Sequence, residues 1–387
     1  MMLSGSRQSV DMLFVGFVGG TGGASVLMLE MAAQMTARGR KVKVVVPACQ
    51  STLAYAERCR QKSVVVERSP WLIERKLAVR SLIDAFRALR SYRAPVVHFH
   101  LGNTNTISGD FLFAMELLRF PPVYVTPHTN ADDPPINDWR ARRWASAARR
   151  RLKKVICLSQ RSRQRHIDYG LPVEQVELIY SGVDIEAFKR GNAAPVRRHL
   201  KLAEDAALIL VSSRIEREKR PIDAVRAFKL IASEFPRAHL AFIGNGSLEA
   251  QARAEAERSG VGERVHFAGY QTNVADWLAA TTVWLLPTES EGFSLAVLEA
   301  MAAQCPVVST VCPGNDELLV DGENALLAPI GDVYGLAGAL RRLLSDERLR
   351  KQLTLTACNL IHRYSLDRTV EAHLACYADA LPTGRLK

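Results

Sequence analysis

Two acidic residues, Glu291 and Glu299, stand on either side of the start of a predicted helix. A predicted strand ends near Pro287, a glycine-containing turn follows, and Ser294 is a typical N-cap residue. Carboxylates accept hydrogen bonds from hydroxyls, and the free N–H groups of a helix N-terminus bind phosphate or sugar oxygens. Ordinary helix acids are the alternative. That is a poor explanation for Glu299, because a carboxylate among apolar helix residues usually has a partner.

Two cationic residues follow another predicted strand. Arg214 and Lys219 lie in the segment SRIEREKRP, which comes directly after Ala207–Ser212. Fixed cations at the carboxyl end of a strand can bind a pyrophosphate and stabilise it as a leaving group. Basic residues are common in loops, so this segment alone is a weak indication.

A glycine-rich turn, Gly19–Ala24 (GGTGGA), follows the first predicted strand and opens a helix. Glycines at such a turn let the backbone approach a phosphate. A dinucleotide cofactor would require an acidic residue at the end of the second strand, and Lys41–Pro47 contains none. The dehydrogenase interpretation is therefore disfavoured, whereas a plain tight turn remains an alternative.

Short runs of Val, Ile and Leu alternate with helical patterns along the chain, which is typical of parallel α/β sheets. The predicted strands are Met12–Val18, Lys41–Val46, Val96–Phe99, Val123–Thr126, Val155–Leu158, Ala207–Ser212, His239–Ile243, Val265–Phe267, Val283–Leu286 and Val307–Ser309. The predicted helices include Ser25–Arg38, Ile222–Phe235, Leu248–Ser259, Ser294–Gln304 and Val333–Leu344. The polar stretch Ser181–Pro195 interrupts the alternation, which predicts two halves of Rossmann size joined near residue 190. Ligands of such sheets bind outside the carboxyl ends of the strands, so we expect a cleft between the two halves.

The net charge of +11 is unevenly distributed along the 387 residues. Residues 1–200 hold 31 Lys/Arg and 16 Asp/Glu, a net +15, and the remainder holds 20 and 24, a net −4. A basic half indicates an anionic partner, such as a phospholipid surface, nucleic acid or an acidic acceptor, with a solvated basic face as the alternative. Ala56–Arg93, around Trp71, Leu72, Leu82 and Phe86, and Trp139–Lys154, with Trp139 and Trp144, have the composition of basic amphipathic helices that lie on anionic membranes.

The seven cysteines are scattered and show no metal-binding spacing, which is typical of reduced intracellular thiols. The N-terminus lacks an apolar signal core, and no apolar run approaches the ~20 residues of a membrane span. We therefore expect a cytoplasmic protein, peripheral on the inner face of the membrane if the lipid hypothesis holds.

The segment from Glu291 to Met301 (EGFSLAVLEAM) resembles the E-x7-E motif of the retaining GT-B glycosyltransferases of group 4, also called glycosyl transferases group 1. Further segments resemble the family in the same order along nearly the whole chain. They are Gly22–Ala24, Pro127-His128, Ile156–Ser159, Ile179–Asp184, Arg214 with Lys219, Gly244–Gly246, Phe267–Tyr270 and the closing stretch Leu360–Leu381.

The resemblance implies a GT-B fold, with two Rossmann-like domains facing each other across a cleft. Residues 1–190 would form the acceptor-side domain, completed by C-terminal helices at about 360–387, and residues 191–359 the donor domain. The implied activity is transfer of a sugar, of hexosyltransferase type, from a nucleoside-diphosphate sugar with retention at the anomeric carbon. A UDP-sugar is the favoured donor. The acceptor stays open, with a membrane-linked glycan or lipid as one hypothesis.

The resemblance also implies roles for individual residues. Glu291 would hold donor-sugar hydroxyls and Glu299 the ribose, while Arg214 and Lys219 would neutralise the diphosphate. His128 would lie by the donor sugar, with a packed structural histidine as the alternative. Phosphate and sugar oxygens would be bound by Gly22, Gly23, Gly292, Phe293, Ser294 and Leu295. The family pattern implies no required metal ion and no cofactor.

The chain departs from the family pattern at several positions. Arg220 stands where a glycine is frequent after the lysine, Ser181 stands in the hinge-side turn, and Ser25 follows the glycine loop where the family often has glutamate. Because of Arg220, the identity of the nucleotide-sugar donor stays open. The competing hypotheses are a nucleotide-sugar epimerase or hydrolase of the same fold and a non-catalytic nucleotide-sugar-binding relative. No nucleic-acid-binding module is recognised, so nucleic acid is not expected as a partner.

Overall fold

The computed structural model describes residues 10–16, 22–70, 72, 79–103, 109–129 and 139–381. The chain divides into two compact units, the first comprising Met1–Ser181 with Leu366–Lys387 and the second Gly182–Ser365. Each unit is a parallel sheet flanked by helices, as the strand–helix alternation predicts.

The first unit is built on short strands, of which the central ones are largely buried and the edge strand β3 is partly exposed. They are β1 (Met12–Gly16), β2 (Val42–Pro47), β3 (Val65–Ser69), β4 (Val96–Asn103), β5 (Val123–Thr129), β6 (Leu152–Cys157) and β7 (Val176–Leu178). The helices that follow them are α1 (Gly23–Ala37), α2 (Leu53–Gln61), α3 (Val79–Arg90), α4 (Gly109–Leu117), α5 (Trp139–Arg151) and α6 (Gln160–Asp168). Single-turn 3₁₀ helices occupy Gln50–Thr52 and Val173–Gln175.

The seven strands pair in the order β3-β2-β1-β4-β5-β6-β7, with every pair parallel. All five residues of β1 are buried because helices cover both faces of the sheet, which explains its uninterrupted apolar sequence. The order reverses between β1 and β4, so the chain segments that leave these strands diverge.

The second unit repeats this plan. Its strands are β8 (Ala207–Ser212), β9 (Ala238–Ile243), β10 (Val265–Phe267), β11 (Val283–Leu286), β12 (Val307–Thr310) and β13 (Leu326–Ala328). Its helices are α7 (Ile185–Lys189), α8 (Ala193–His199), α9 (Pro221–Ile231), α10 (Glu249–Arg258), α11 (Val274–Ala279), α12 (Leu295–Ala302), α13 (Val333–Ser345) and α14 (Glu347–Ile361), with 3₁₀ turns at Arg217–Lys219, Gly262–Arg264 and His362–Tyr364. The parallel order is β10-β9-β8-β11-β12-β13, with the reversal between β8 and β11.

The last helix, α15 (Leu366–Cys376), belongs to the first unit and packs on α1. The predicted boundary at residue 190 lies inside the second unit, just after α7, and the predicted return at residue 360 lies inside α14, which ends at Ile361. The stretch around Ser181–Pro195 appeared irregular because α7 and α8 are too short to show a helical period.

Three apolar residues of the predicted membrane-binding segments pack in or against the core of the first unit. Leu72 and Phe86 are buried in the first unit's core, and Trp144 packs against that core and contacts Tyr169 at a ring-centroid distance of 6.4 Å. Trp71 lies outside the described residues, and the side chains of Leu82 and Trp139 are not described. Among the described residues, no helix has the length and apolarity to cross a membrane.

Candidate active site

The loops that follow β8 and β11 carry three charged residues that the sequence analysis assigns to the donor site. These strands are neighbours at the point where the sheet order reverses, so their following loops leave in opposite directions and form a crevice at the carboxyl edge of the sheet. The first loop contains Arg214 and Lys219, and the second contains Glu291.

Lys219 and Glu291 form the closest charge pair between these loops. The Lys219 Nζ donates to Glu291 Oε1 at 2.5 Å, and the two side chains are only 14% and 10% exposed. Two charges withdrawn from water to this extent need each other, because either one alone would lose its hydration without compensation. The structure therefore brings together one cation and one carboxylate that the sequence assigns to the same site.

Backbone and side-chain bonds hold the two loops in register. The carbonyl oxygen of Glu218 accepts from the Glu289 amide at 2.8 Å and from Thr288 Oγ1 at 3.1 Å. These bonds lie next to Lys219 and Glu291 in the sequence. They fix the distance between the two loops, so the backbone positions the ion pair.

Arg220 adds an ionic brace at the same place. Its backbone is left-handed, with φ 48° and ψ 52°, which explains why a glycine is favoured there. Its guanidinium Nη1 donates to Glu289 at 2.8 Å and its Nε donates to Asp223 at 2.6 Å. Arg217 also donates to Glu289, at 3.2 Å. Glu289, which has no place in the E-x7-E spacing, is thus a second carboxylate, besides Glu291, that joins the two loops.

Arg214 is not part of the buried pair. Its guanidinium donates to Glu218 at 2.6 Å, and its side chain is 57% exposed. The structure therefore places Lys219 and Arg214 in different surroundings, one largely withdrawn from water and one open to it.

The residues after Glu291 form the predicted start of a helix, and this prediction is confirmed. Ser294 is the N-cap of α12, and its Oγ accepts from the Val297 amide at 3.4 Å. The first helical hydrogen bond runs from Leu298 to the Ser294 carbonyl, so the amide of Leu295 lies ahead of the hydrogen-bonded ladder. Gly292 precedes this turn, and Glu299 is half-buried one turn further on.

Phe293 has a structural task within this turn. Its ring is 6% exposed and packs against Tyr364 at a centroid distance of 5.4 Å. The buried ring anchors the turn, so a ligand would meet the backbone of this residue and not its side chain.

A third loop, after β12, supports Glu291 from the other side. The Glu291 amide donates to the Pro313 carbonyl at 2.9 Å. Gly314 has φ +90°, and a Cβ there would lie 2.1 Å from the Glu291 carbonyl oxygen, so only glycine fits. Nearby, burial and the Glu291 carboxylate raise the pKa of the Cys312 thiol to about 12.

In the first unit, Gly22 and Gly23 lie at the start of α1, beyond the end of β1. Gly22 is the N-cap, with φ −86°, and a Cβ at this position would meet no atom of the described residues within 4 Å. Neither backbone strain nor crowding therefore requires a glycine at position 22. Gly19–Thr21 lie outside the described residues.

His128, near the end of β5, is half-buried and bonded to a second histidine. Its Nε2 lies 3.1 Å from His100 Nδ1 across the β4–β5 pair. Burial lowers the pKa of His128 to about 3, so the ring is neutral at physiological pH. His100 in the first unit, and Glu289 and Arg220 in the second, have no role assigned from the sequence. A His-x-His pattern in a buried strand (His98, His100) was the available signal for the first.

The chemistry of these groups suits a polyhydroxylated anion. Cations and helix-start amides can bind phosphate oxygens, and carboxylates such as those of Glu291 and Glu299 can accept from hydroxyls. The described residues include no cluster of three or more His, Cys, Asp or Glu side chains arranged to hold a metal ion.

Comparison with known families matches both units of the chain. A family model described as Glycosyl transferases group 1 matches residues 194–358, and one described as Glycosyltransferase Family 4 matches residues 21–187.

Curated relatives match over part of their length. A D-inositol 3-phosphate glycosyltransferase of Kribbella flavida is 32% identical over 56% of this chain and 53% of its own. An N-acetyl-alpha-D-glucosaminyl L-malate synthase of Bacillus anthracis is 28% identical over 54% of this chain and 55% of its own. The chain thus spans about half the length of these relatives.

A solved structure shares the fold over almost the full chain. HepE of Anabaena, in complex with UDP-glucose, superposes with a TM-score of 0.80 at 21% identity, covering 96% of this chain and 100% of its own. The two parallel-sheet units are those of the GT-B glycosyltransferases, and the predicted GT-B architecture is confirmed.

Proposed function

We propose, from the premise that this chain belongs to the glycosyl transferases group 1 family, that it transfers a sugar from a nucleoside-diphosphate sugar to an acceptor with retention at the anomeric carbon. Membership of this family supports a glycosyltransferase activity. We propose, beyond this membership, the class of the donor, the stereochemistry of the transfer and the chemistry of the acceptor.

The observation that carries the proposal is the shielded pair of Lys219 and Glu291. One member is a cation suited to a departing diphosphate, and the other is a carboxylate suited to sugar hydroxyls. A diphosphate sugar presents both groups side by side, so a single ligand satisfies both side chains when it enters. Transfer requires that negative charge on the leaving group be stabilised, and Lys219 supplies this in surroundings where water competes little.

The remaining roles follow the chemistry of each group. Arg214, exposed and held by Glu218, adds a second cation for the diphosphate. The amides at the start of α12 bind phosphate or sugar oxygens, and Glu299 accepts from the ribose hydroxyls. In the first unit, Gly22 and Gly23 leave space for an oxygen of the ligand, and the neutral His128 hydrogen-bonds a hydroxyl of the donor sugar. In a retaining transfer of this kind, the leaving phosphate takes the acceptor's proton.

We favour a UDP-sugar as the donor. The structural relative HepE binds UDP-glucose, which supports a uridine nucleotide. The test is thermal unfolding of the chain with UDP, GDP, ADP and TDP and with their sugars, because a ligand stabilises in proportion to its occupancy. A rise in Tm with UDP and UDP-sugars alone supports the assignment, and an equal response to GDP or ADP contradicts it.

Turnover and stereochemistry need a separate measurement. With UDP-sugar and acceptor, we expect NMR of the product to show the anomeric configuration of the donor. Inverted product would reject retention. Free sugar or a changed epimer without acceptor would favour the hydrolase or epimerase alternative. Glu291→Gln should lose transfer, while Glu347→Gln, which removes a carboxylate of an exposed pair with Lys351, should not.

The acceptor carries negative charge in this proposal. The basic excess lies in the N-terminal half of the chain, at +15 for residues 1–200. The printed names of the two curated relatives include inositol 3-phosphate and malate, both of which are anions. Competition of inositol phosphate or malate with the true acceptor would support an anionic acceptor, and insensitivity to both would oppose it.

A membrane-linked acceptor is the second candidate, and one surface of the first unit favours it. Phe113 and Leu117, one turn apart on α4, are 56% and 57% exposed. Cationic residues surround the end of this helix. Arg90 donates to the Leu118 carbonyl at 3.1 Å, and Arg119 is exposed. Apolar side chains among arginines suit an anionic lipid surface.

Co-sedimentation with anionic phospholipid vesicles at low and high salt tests this surface. We expect binding at low salt that is lost in the double variant Phe113→Ser/Leu117→Ser and kept in Leu355→Ser, which removes an equally exposed leucine from the second unit. Absence of binding at low salt, or equal binding by the double variant, would reject the membrane surface.

A further inference from the structure

A row of buried histidines lies behind His128 in the first unit. His98 and His100 project from the same face of β4, fully buried, with ring centroids 4.3 Å apart. Phe14 of β1 packs on both rings. Burial holds the pKa of both imidazoles well below the ordinary value of 6.5, so both rings are uncharged. Each uncharged ring has one N–H donor and one bare nitrogen, and its tautomer decides which is which.

The two rings differ in how their nitrogens are satisfied. His98 uses both, with Nδ1 2.6 Å from the Tyr377 hydroxyl and Nε2 2.8 Å from Thr126 Oγ1. His100 uses one, with Nδ1 3.1 Å from His128 Nε2. Its Nε2 is buried and has no hydrogen-bond partner among the residues that the structure describes.

This asymmetry selects a tautomer. If His128 donated to His100, the proton of His100 would sit on Nε2, as a buried N–H with no acceptor. If His100 donates from Nδ1, the atom left without a partner is a bare nitrogen. Buried N–H groups without an acceptor are rarer and more costly than acceptors that lack a donor. The arrangement in which His100 is the donor is therefore preferred.

We propose that His100 is a positioning residue that donates to His128 Nε2 and thereby fixes His128 as the Nδ1–H tautomer. His128 then offers a fixed N–H donor to a ligand oxygen from Nδ1, with no charge and no competing tautomer. This inference rests on the proposed function for the identity of that ligand, a hydroxyl of the donor sugar, but the tautomer itself does not depend on it.

The tautomer is read directly by ¹⁵N NMR of the full chain labelled at histidine, with His128 assigned by comparison with His128→Gln. We expect His128 Nδ1 to be protonated and Nε2 bare in the unliganded protein. A protonated His128 Nε2 would overturn the proposal. Loss of the single-tautomer signal in His100→Leu would support it, and an unchanged signal in that variant would overturn it.

Kinetics provide a second test with a matched pair of variants. His100→Leu removes the donor, whereas the side-chain amide of His100→Asn places an N–H close to the position of Nδ1. We expect kcat to fall about tenfold in the first, the effect of losing one oriented hydrogen bond, and to recover within about threefold in the second. Tyr377→Phe removes the bond to His98 but leaves that between His100 and His128, so it should keep kcat. Equal kcat in His100→Leu and wild type would overturn the proposal.

The proposed function and the tautomer of His128 can be rejected independently of each other. An Nδ1–H His128 in a protein without transferase activity would reject the proposed function and leave the tautomer assignment standing. An active transferase whose His128 carries its proton on Nε2 would do the reverse.

Discussion

The buried histidines of the first unit and the charged loops of the second unit represent two ways of placing polar groups next to a sheet edge. His98 and His100 are fully buried and uncharged, and they are bonded to other uncharged groups. Lys219 and Glu291 form an ion pair whose side chains are 14% and 10% exposed. A neutral imidazole loses little when it leaves water, whereas a charge must take a partner with it. The first region should therefore respond to acid and the second to loss of a partner.

The largest effect on stability is expected when one member of the Lys219–Glu291 ion pair is removed. Lys219→Met leaves Glu291 nearly buried and unpaired, which should cost about 3–5 kcal/mol of unfolding free energy. The double variant Lys219→Met/Glu291→Gln removes both charges and should recover most of this loss, although neither protein should transfer sugar. Denaturant unfolding of both variants measures the difference. Equal stability of the single and double variants would mean that the pair is solvated and not shielded.

The next effect tests how tightly the loop behind Glu291 is packed. Gly314→Ala adds a methyl group 2.1 Å from the Glu291 carbonyl at φ +90°, while Gly322→Ala has a similar φ of +74° with no atom within 4 Å. Both variants incur backbone strain, so their difference isolates the clash. We expect Gly314→Ala to be less stable than Gly322→Ala by about 1–3 kcal/mol and to have lower activity. Matching unfolding curves would show that the loop can move away.

Lowering the pH should destabilise mainly the first unit. Burial lowers the pKa of His128 to about 3 and that of His373 to about 4, against an ordinary value of 6.5. At pH values between the folded-state pKa and 6.5, the unfolded chain binds more protons than the folded chain. The free energy of unfolding therefore has its full value above pH 6.5. It decreases as the pH falls below 6.5, by about 1.4 kcal/mol per pH unit for each such histidine.

Hydrogen exchange of the β4 amides between about pH 7 and about pH 5, corrected for the intrinsic exchange rate, measures this loss. His100→Leu removes one of the buried rings and should make the pH dependence shallower by about one proton. A first unit whose protection is constant over this range would contradict the assignment of uncharged buried rings.

The smallest effect concerns the ionic brace. Arg220→Gly removes the ion pair with the partly exposed Glu289 and the pair with the buried Asp223, but it also relieves the left-handed backbone. Asp223 stays in the first turn of α9, where the helix N-terminus favours its charge, and the lost pair with Glu289 and the relieved backbone are each about 1 kcal/mol and of opposite sign. Stability should therefore change by less than about 1 kcal/mol. Arg220→Ala loses the pairs without the relief and should be about 1 kcal/mol less stable than Arg220→Gly. If alanine matched glycine at this position, the left-handed backbone would carry no strain.

Much of the fold followed from local sequence patterns. The predicted strands Ala207–Ser212, Val265–Phe267 and Val283–Leu286 have the observed bounds, because each is a short run rich in β-branched, aromatic or other apolar residues. Strands β3, β7 and β13 were not predicted from the sequence. Two of these strands have only three residues, and β3 (VVERS) carries charged residues, since it lies at the sheet edge. The basic segment Trp139–Lys154 is largely helical, as predicted, because it contains α5, whereas Ala56–Arg93 holds the strand β3 between α2 and α3. The apolar residues Phe86 and Trp144 of these segments pack against the core, because an amphipathic pattern does not show which surface covers it.

By itself, the sequence determined the turn and helix that present Glu291 and Glu299. N-capping by Ser294, strand length and the spacing of the two acids are properties of a few consecutive residues, so they need no knowledge of the rest of the chain. Only the tertiary structure decided which charges meet. Lys219 and Glu291 are 72 residues apart, and they pair because β8 and β11 are neighbours in the sheet. His100 and His128 are 28 residues apart and meet because β4 lies beside β5. Strand order is set by the packing of the whole sheet, and no local pattern encodes it.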